Sequence, residues 1–238
     1  MITAPIAGLR EAVEAMVAAS IPATVPPSST VVVVAGAIAA VLVLGLWSIT
    51  GHIITIAHEG AHAAVAVLLG GKVTEVRLHR DRTGSTTSGR ALLVLPVAAA
   101  GYLGPSVFGL LGSGLIVHGR PDLVLWTSLA LLFLLLLTTA NWFGRLVVIT
   151  TGALLLATLY QGSPGLRLLV ACAWVWVLLI GGLLHVWRHR RGGVDFMIMH
   201  SITGVVPAFL WAGLALVATA AALVLGGAWL VGAATPPL

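Results

Sequence analysis

The sequence predicts an all-α integral membrane protein with five to six transmembrane helices and one small β-hairpin insertion. Of its 238 residues, 59% are hydrophobic and only 8% are charged, whereas a typical soluble domain has about 25% charged residues. The apolar residues also form runs of the length that crosses a bilayer, which is about 20 residues. So few charges exclude an ordinary cytosolic enzyme and a disordered protein. They also argue against a nucleic-acid-binding protein, despite the net charge of +5.

The first apolar run covers residues 31–70 and is twice as long as one span needs. At about 1.5 Å per residue it would make a single helix of roughly 60 Å. We therefore expect either a helix that projects well beyond the bilayer or two helices with a break near Ser48–Gly51. Residues 1–28 are predicted to be an N-terminal amphipathic or surface segment, and residues 29–238 a single transmembrane domain.

Residues 71–90 are the only long polar segment, and they are predicted to form the β-hairpin. The Gly70-Gly71 pair is typical of a helix end. Polar and apolar residues then alternate from Lys72 to His79, as in a half-buried strand, and residues 83–85 (Thr-Gly-Ser) are predicted to form the turn. A basic, solvated loop is the alternative interpretation.

Five later spans are predicted at residues 91–117, 122–140, 144–161, 166–187 and 205–232, with a re-entrant or linking segment at 188–204. When residues 31–70 count as one crossing, nine Lys and Arg residues fall on one side of the membrane and three on the other. Basic residues are enriched in cytoplasmic loops. The hairpin and the basic cluster at residues 188–191 are therefore predicted to be cytoplasmic.

One acidic residue, Glu59, lies well inside an apolar run, and a buried ionisable group in lipid is costly enough to indicate a function. It belongs to the sequence His58-Glu59-Gly60-Ala61-His62, an H-E-x-x-H motif just before the predicted hairpin. Residues four apart share a helical face, so His58 and His62 can bind one Zn²⁺. Glu59 is next to the first ligand and can accept a proton from the water that zinc activates. A structural polar cluster is the alternative.

A catalytic zinc site needs a third protein ligand from elsewhere in the chain. Asp195 is the leading candidate, because Gly192-Gly193 before it would let the chain bend back into the membrane. The alternatives are that Asp195 only caps the next helix, or that the nearby His200 is the ligand. Asn141 lies at the start of a later span, where its side chain is expected either to cap the helix or to contact the substrate backbone. The other three histidines near the basic segments are assigned to loops or the interface, where solvation explains them: His79, His185 and His189.

These residues resemble the site-2 protease family of intramembrane zinc metalloproteases, and most closely its compact bacterial branch. The likeness covers residues from about 50 to 211. The stretches that carry it are His58-Glu59-Gly60-Ala61-His62, Gly70-Gly71-Lys72-Val73, Gly101-Tyr102-Leu103-Gly104-Pro105, and Asp195 with Thr203, Val206-Pro207 and Trp211. Better-known members carry their aspartate in a Leu-Asp-Gly sequence, which this chain does not contain.

The resemblance implies regulated intramembrane proteolysis in a bacterial cell membrane. It implies that His58, His62 and an aspartate hold Zn²⁺, and that Glu59 activates water. The hairpin would present an extended substrate strand by edge pairing. The expected partners are a membrane-protein substrate and the lipid bilayer, with no nucleic acid. Because the chain has no room for a PDZ or CBS domain, substrate selection is expected to use the core or a membrane partner.

Two other functions are open on the sequence alone. A catalytically inactive relative would keep the fold and act as a binding subunit of a membrane complex, as expected if the third ligand were missing. A metal-dependent transporter or chaperone subunit would pass ions along the histidines. That class usually shows more intramembrane acids and repeated halves than this chain has.

Overall fold

The computed structural model of the protein describes residues 27–89 and 94–234. Within these ranges it confirms the predicted fold class, a helical membrane protein with one small hairpin. Five of the described helices are long and apolar enough to cross a membrane, and a bent pair at the start makes six if the pair is one span. The predicted N-terminal amphipathic segment falls almost entirely on residues 1–26, outside the described residues.

The described helices are α1 (Ser29–Ala40), α2 (Trp47–Leu68), α3 (Val94–Val117), α4 (Pro121–Thr138), α5 (Trp142–Gln161), α6 (Pro164–His189), α7 (Val194–Thr203) and α8 (Ala208–Ala234). The strands are β1 (Lys72–Leu78) and β2 (Gly84–Gly89). The five later spans thus lie within a few residues of their predicted bounds. The predicted linking segment contains the ten-residue helix α7.

The first apolar run is broken, which resolves the two alternatives in favour of two helices. α1 continues into a π-helical turn, Val41–Gly45, and the regular backbone ends at Leu46 with φ −117° and ψ 37°. α1 and α2 meet there at 102°. The Thr50 hydroxyl bridges the break, lying 3.0 Å from the Leu42 carbonyl oxygen and 3.1 Å from that of Leu46. The break therefore precedes the predicted Ser48–Gly51 region, and it turns α2 away from α1 and against α3.

Glycines let α3 pack closely against α6. A Cβ added at Gly109 would lie 2.8 Å from Leu179 Cγ, and one at Gly112 would lie 2.6 Å from Val175 Cγ2. Small residues at such contacts are typical of membrane helix pairs, because they bring the two backbones together. α3 also contacts α2, α7 and α8, so it is the helix against which the site is assembled.

The outer surface of the bundle is apolar. Leu111, Leu137 and Val217 are 63%, 67% and 71% exposed, and many other large aliphatic side chains face outward in the same way. Such a surface would drive a water-soluble protein to associate, but it suits lipid. The protein is therefore a multi-pass membrane protein.

The hairpin is confirmed, but its predicted turn is wrong. β1 and β2 pair antiparallel, with Val76 opposite Thr86, and the residues predicted as the turn after Thr83 instead begin β2. The chain reverses earlier, over residues 79–83, where Arg82 has a φ of 69°. The Asp81 carboxylate closes this reversal, because it accepts hydrogen bonds from the Thr83 N–H at 3.1 Å and from the Thr83 hydroxyl at 2.7 Å. These two bonds also lower the pKa of Asp81.

The segment between α4 and α5 covers the outer edge of β1. The Ala140 N–H donates to the Val76 carbonyl oxygen at 2.9 Å. The Asn141 side chain makes a matched pair of bonds with Leu78, accepting from its N–H at 3.1 Å and donating to its C=O at 2.6 Å. β2 is therefore the open strand of the hairpin, and nothing else in the described ranges pairs with it as a strand.

Asn141→Ala is expected to loosen β1. The substitution leaves the N–H and C=O of Leu78 without partners, and Leu78 is fully buried. Losing such bonds costs about 2 kcal/mol. Faster amide hydrogen exchange across residues 72–78 is the measurement. Asn141→Asp is the matched control, since it still accepts from the N–H and should give an intermediate rate. Unchanged exchange in Asn141→Ala would contradict the anchoring role.

Candidate metal centre

The H-E-x-x-H residues lie in the middle of α2 and are buried. His58, Glu59 and His62 are 7%, 3% and 7% exposed. The helical spacing places both imidazoles on one side of α2, where their rings meet at a centroid separation of 4.7 Å. Three polar side chains buried in an apolar bundle need partners, because unpaired polar groups in such surroundings are costly.

Asp195 provides one partner for both histidines. Its Oδ2 atom is 3.1 Å from His58 Nε2 and 3.4 Å from His62 Nε2. The two Nε2 atoms are themselves 3.1 Å apart. Asp195 is the second residue of α7, and Gly193 occupies the N-cap position. The structure therefore brings together the two histidines and the aspartate that the sequence singled out, from helices far apart in the chain.

The hydrogen-bond partner of Nδ1 determines the tautomer of His62. Nδ1 lies 2.6 Å from the Val97 carbonyl oxygen. A carbonyl can only accept, so Nδ1 carries the hydrogen, and neutral His62 has a lone pair on Nε2 facing Asp195. Metal-binding histidines are commonly oriented by such a bond on the other ring nitrogen. His58 has no equivalent bond, since its Nδ1 is buried without a partner.

The three groups fit a divalent cation. Two imidazole nitrogens and a carboxylate oxygen, all within 4.8 Å of one another, place electron-rich atoms around one point. Tetrahedral zinc with bonds of about 2.0–2.1 Å needs ligand atoms about 3.3 Å apart. The observed separations of 3.1, 3.1 and 3.4 Å are close to that value. Among the described residues, no other group of three His, Cys, Asp or Glu side chains meets this condition.

Gly101 of α3 makes room for the two imidazoles. A Cβ added there would overlap His62 Nε2 and lie 2.7 Å from His58 Cε1. Only a residue without a side chain fits at this point, so α3 closes one side of the centre with its backbone. Gly101 belongs to the 101–105 stretch that the sequence singled out, and the absence of a side chain there lets α3 lie directly against the H-E-x-x-H motif.

A family model described as Peptidase M50B-like matches residues 31–226. The chain belongs to this family. The match includes both histidines, Glu59 and Asp195, and it confirms the resemblance to the site-2 protease family. No curated protein and no solved structure gives a significant match. Membership of this family supports a membrane-embedded peptidase, and the arrangement of His58, His62 and Asp195 supports a metal centre within it.

In this M50B-like protein the hairpin holds Glu59. The Thr86 hydroxyl of β2 lies 2.7 Å from Glu59 Oε2, to which it donates, and 3.2 Å from the Glu59 backbone carbonyl. Gly84 lies so close that a Cβ would be 2.7 Å from Glu59 Cγ. Sequence reasoning missed Thr86, because alternation predicts a strand but not its register against α2.

A cavity of about 450 Å³ opens onto the metal centre. It is lined by the metal-binding face of α2, by β2, by α3 and by the C-terminal end of α6. Two of its residues, His185 and His189, were predicted to lie in loops or at the interface. That prediction is wrong for His185, which is in α6 and only 5% exposed, with its ring centroid 5.0 Å from that of His58.

The remaining two predicted residues lie elsewhere. His200 is also on α7, but its Nδ1 is 2.9 Å from the Val206 carbonyl oxygen and it is not part of the cluster. Asn141 lies at the edge of β1 that faces away from β2, with its side-chain amide bonded to Leu78. It makes no side-chain cap bond to α5, and its contact with substrate stays a prediction.

Proposed function

We propose that this protein is an intramembrane zinc metalloprotease that cleaves transmembrane segments of membrane-protein substrates. The observation that carries the proposal is the convergence of His58, His62 and Asp195 next to Glu59, inside an apolar helical bundle. The two histidines and the aspartate would hold zinc through Nε2, Nε2 and a carboxylate oxygen. This set leaves a fourth position open, as catalytic zinc sites require.

Hydrolysis needs a base beside the water and an acid for the leaving amine. Bound zinc would lower the pKa of water and polarise the peptide carbonyl. Glu59 accepts a proton as the water oxygen bonds to the carbonyl carbon, and it delivers that proton to the nitrogen when the C–N bond breaks. The Thr86 hydroxyl fixes the carboxylate orientation by donating to Oε2. Burial in the bundle keeps bulk water away, which strengthens these electrostatic interactions.

β2 is the proposed docking edge for the substrate. A transmembrane helix satisfies its backbone hydrogen bonds internally, so its peptide groups must be extended before attack. One edge of β2 pairs with β1, while Gly84, Ser85, Thr86 and Ser88 line the cavity. Small side chains there leave room for another backbone. We propose that an extended substrate segment adds to this edge as a strand, within reach of the metal centre.

The hairpin side of the bundle is the proposed cytoplasmic face. Arg188 lies over the ring of Trp47 at 5.0 Å, and Arg80 lies over the ring of Trp142 at 5.3 Å. Tryptophan and basic side chains together are typical of a membrane–water interface. The first pair joins the end of α6 to the start of α2, and the second joins the hairpin turn to the start of α5. With the charge count along the chain, these pairs support a cytoplasmic hairpin. The proposal of a bacterial cell membrane rests on the resemblance to the compact bacterial branch of the family.

An inactive homologue that serves as a binding subunit is the weaker alternative. The sequence favoured this alternative only if a third metal ligand were missing. Because Asp195 lies beside both histidines, no feature of the described residues favours that alternative. A separate membrane partner that selects substrates is compatible with either function.

Metal removal tests the proposed activity. The protein would be purified in detergent, returned to liposomes and incubated with a panel of single-span membrane proteins, with fragments identified by mass spectrometry. We expect about one zinc per chain, loss of cleavage after chelation, and recovery when zinc is added back. Cleavage that survives complete metal removal would overturn the mechanism. A wild-type protein that binds no zinc even after supplementation would point to the binding subunit.

Thr86→Val is expected to lower the turnover number about tenfold, an effect of the size of one lost hydrogen bond to a charged group. Valine matches threonine in shape but cannot donate to Glu59. Zinc content should stay unchanged, because Thr86 is not in the metal cluster. Thr86→Ser keeps the hydroxyl and should restore most of the rate. Steady-state cleavage kinetics would check this, and equal rates for the valine and serine variants would exclude the role.

A further inference from the structure

A second pair of histidines faces the cavity beside the metal centre. His185 and His189 are one turn apart near the C-terminal end of α6, and their ring centroids are 4.3 Å apart. Both line the cavity. Neither belongs to the cluster of His58, His62 and Asp195. This pair repeats the four-residue spacing that places two imidazoles on one helical face.

The four histidines form a path from a partly exposed ring at the end of α6 to three buried rings at the metal centre. His189 is partly exposed, whereas His185 is 5% exposed. From His185 the next ring is His58, at 5.0 Å, and from there His62, at 4.7 Å. A buried metal site needs an entry route for its ion. The path leads from the end of α6 to the metal centre, and successive ring centroids along it are 4.3, 5.0 and 4.7 Å apart.

One ring nitrogen of His189 is available to a cation. His189 Nδ1 is 2.8 Å from the His185 carbonyl oxygen, so Nδ1 carries the hydrogen and Nε2 has the lone pair. Neither ring has a carboxylate partner within the described ranges, where the histidine ion pairs are those of His58 and His62 with Asp195. Apart from histidine, the nearest aromatic ring in the described ranges is that of Tyr102, with its centroid 5.6 Å from that of His185. Neutral imidazoles of this kind suit Zn²⁺ and Cu²⁺.

We propose that His185 and His189 form a second, weaker site for a divalent cation of the zinc and copper type, and that this site passes zinc to the buried centre. The inference rests on the zinc centre proposed above. With two protein ligands instead of three, and no carboxylate, the pair binds less tightly and completes its coordination with water. Weak binding suits a transfer site, because the ion must leave it again.

Metal titration of the apo protein tests whether the second site exists. Cu²⁺ would be added to the full-length wild type and followed by electron paramagnetic resonance, which reports nitrogen ligands. Two equivalents with different affinities are expected for the wild type, and only the tighter one for His189→Ala. His118→Ala is the matched control, because His118 Nδ1 also lies near the carbonyl four residues back, at 2.7 Å, but that residue is Gly114. A wild type that binds a single equivalent would overturn the site.

The rate of zinc loading tests the transfer. Apo protein would be mixed with buffered Zn²⁺, and uptake followed by competition with a fluorescent chelator. His189→Ala should load at least about tenfold more slowly, yet reach the same final occupancy of the tight site. Equal loading rates for His189→Ala and wild type would overturn the transfer step. Failure of the protease proposal looks different, since the wild type would then lack the tight site or lack cleavage, whatever the second equivalent does.

Discussion

Replacing Glu59 with glutamine is expected to abolish cleavage while the protein keeps its zinc. Glutamine has nearly the same shape, and its carbonyl oxygen can still accept the bond that Thr86 donates. It cannot accept a proton from water. Because a positioned general base contributes about a hundred- to ten-thousand-fold to a rate, the loss should bring cleavage close to background. Zinc content and fragment formation, measured on the same preparation, check both parts.

His58→Ala distinguishes loss of the base from loss of the metal. It should lower the zinc content and the rate together, whereas Glu59→Gln should lower the rate alone. Cleavage at the wild-type rate by Glu59→Gln would rule out the catalytic role of Glu59. Loss of zinc in Glu59→Gln would instead make Glu59 part of the metal site, although its carboxylate is bonded to Thr86 in this structure.

The features that sequence predicted well are periodic or compositional. Hydropathy located the later spans, because each is one uninterrupted apolar helix long enough to cross a bilayer. The spacing of His58 and His62 placed both rings on one face of α2, because helical geometry is local. Strand alternation located the hairpin for the same reason. Each of these properties is decided by residues near one another in the chain.

The features that sequence missed depend on distant contacts. The sequence left open whether the first apolar run breaks and placed a break near Ser48–Gly51, whereas the structure breaks it at Leu46, directly after Gly45. α2 packs against α3 and α1 against α6, and these contacts lie far from the break in the sequence. Thr86 meets Glu59 across 27 positions of sequence. His185 was placed at the interface because it lies near a basic cluster, yet α6 buries it against His58. Local patterns cannot report which residues a neighbouring helix will cover.

The third ligand, Asp195, was only partly predictable from the local sequence. The glycines before Asp195 indicated a chain that bends back toward the bundle, but they did not separate a ligand from a helix cap. In the structure Asp195 lies in the first turn of α7, where a carboxylate also interacts favourably with the helix dipole. Its distances to the two histidines show where the carboxylate points. A variant can therefore separate the two contributions.

Asp195→Ala is expected to lose the metal almost completely and with it all cleavage. The substitution leaves two histidines where a catalytic zinc site needs three protein ligands, and even lost supporting contacts weaken metal binding by about ten- to a hundredfold. Zinc per chain should fall from about one to near zero after dialysis against a weak chelator. His200→Ala is the matched control on the same helix, and it should keep its zinc because His200 lies outside the cluster.

Asp195→Asn then separates ligation from the effect of Asp195 on the helix. Asparagine preserves the side-chain size, and position 195 lies inside the helix rather than at its N-cap, which is Gly193, so α7 should stay folded. It is neutral, however, and a poorer zinc ligand than a carboxylate. If Asp195 binds the metal, the asparagine variant should lose zinc nearly as fully as alanine while its thermal unfolding stays close to that of the metal-free wild type. If Asp195 acted only on the helix, Asp195→Asn would keep its zinc, and the third ligand would have to come from another residue.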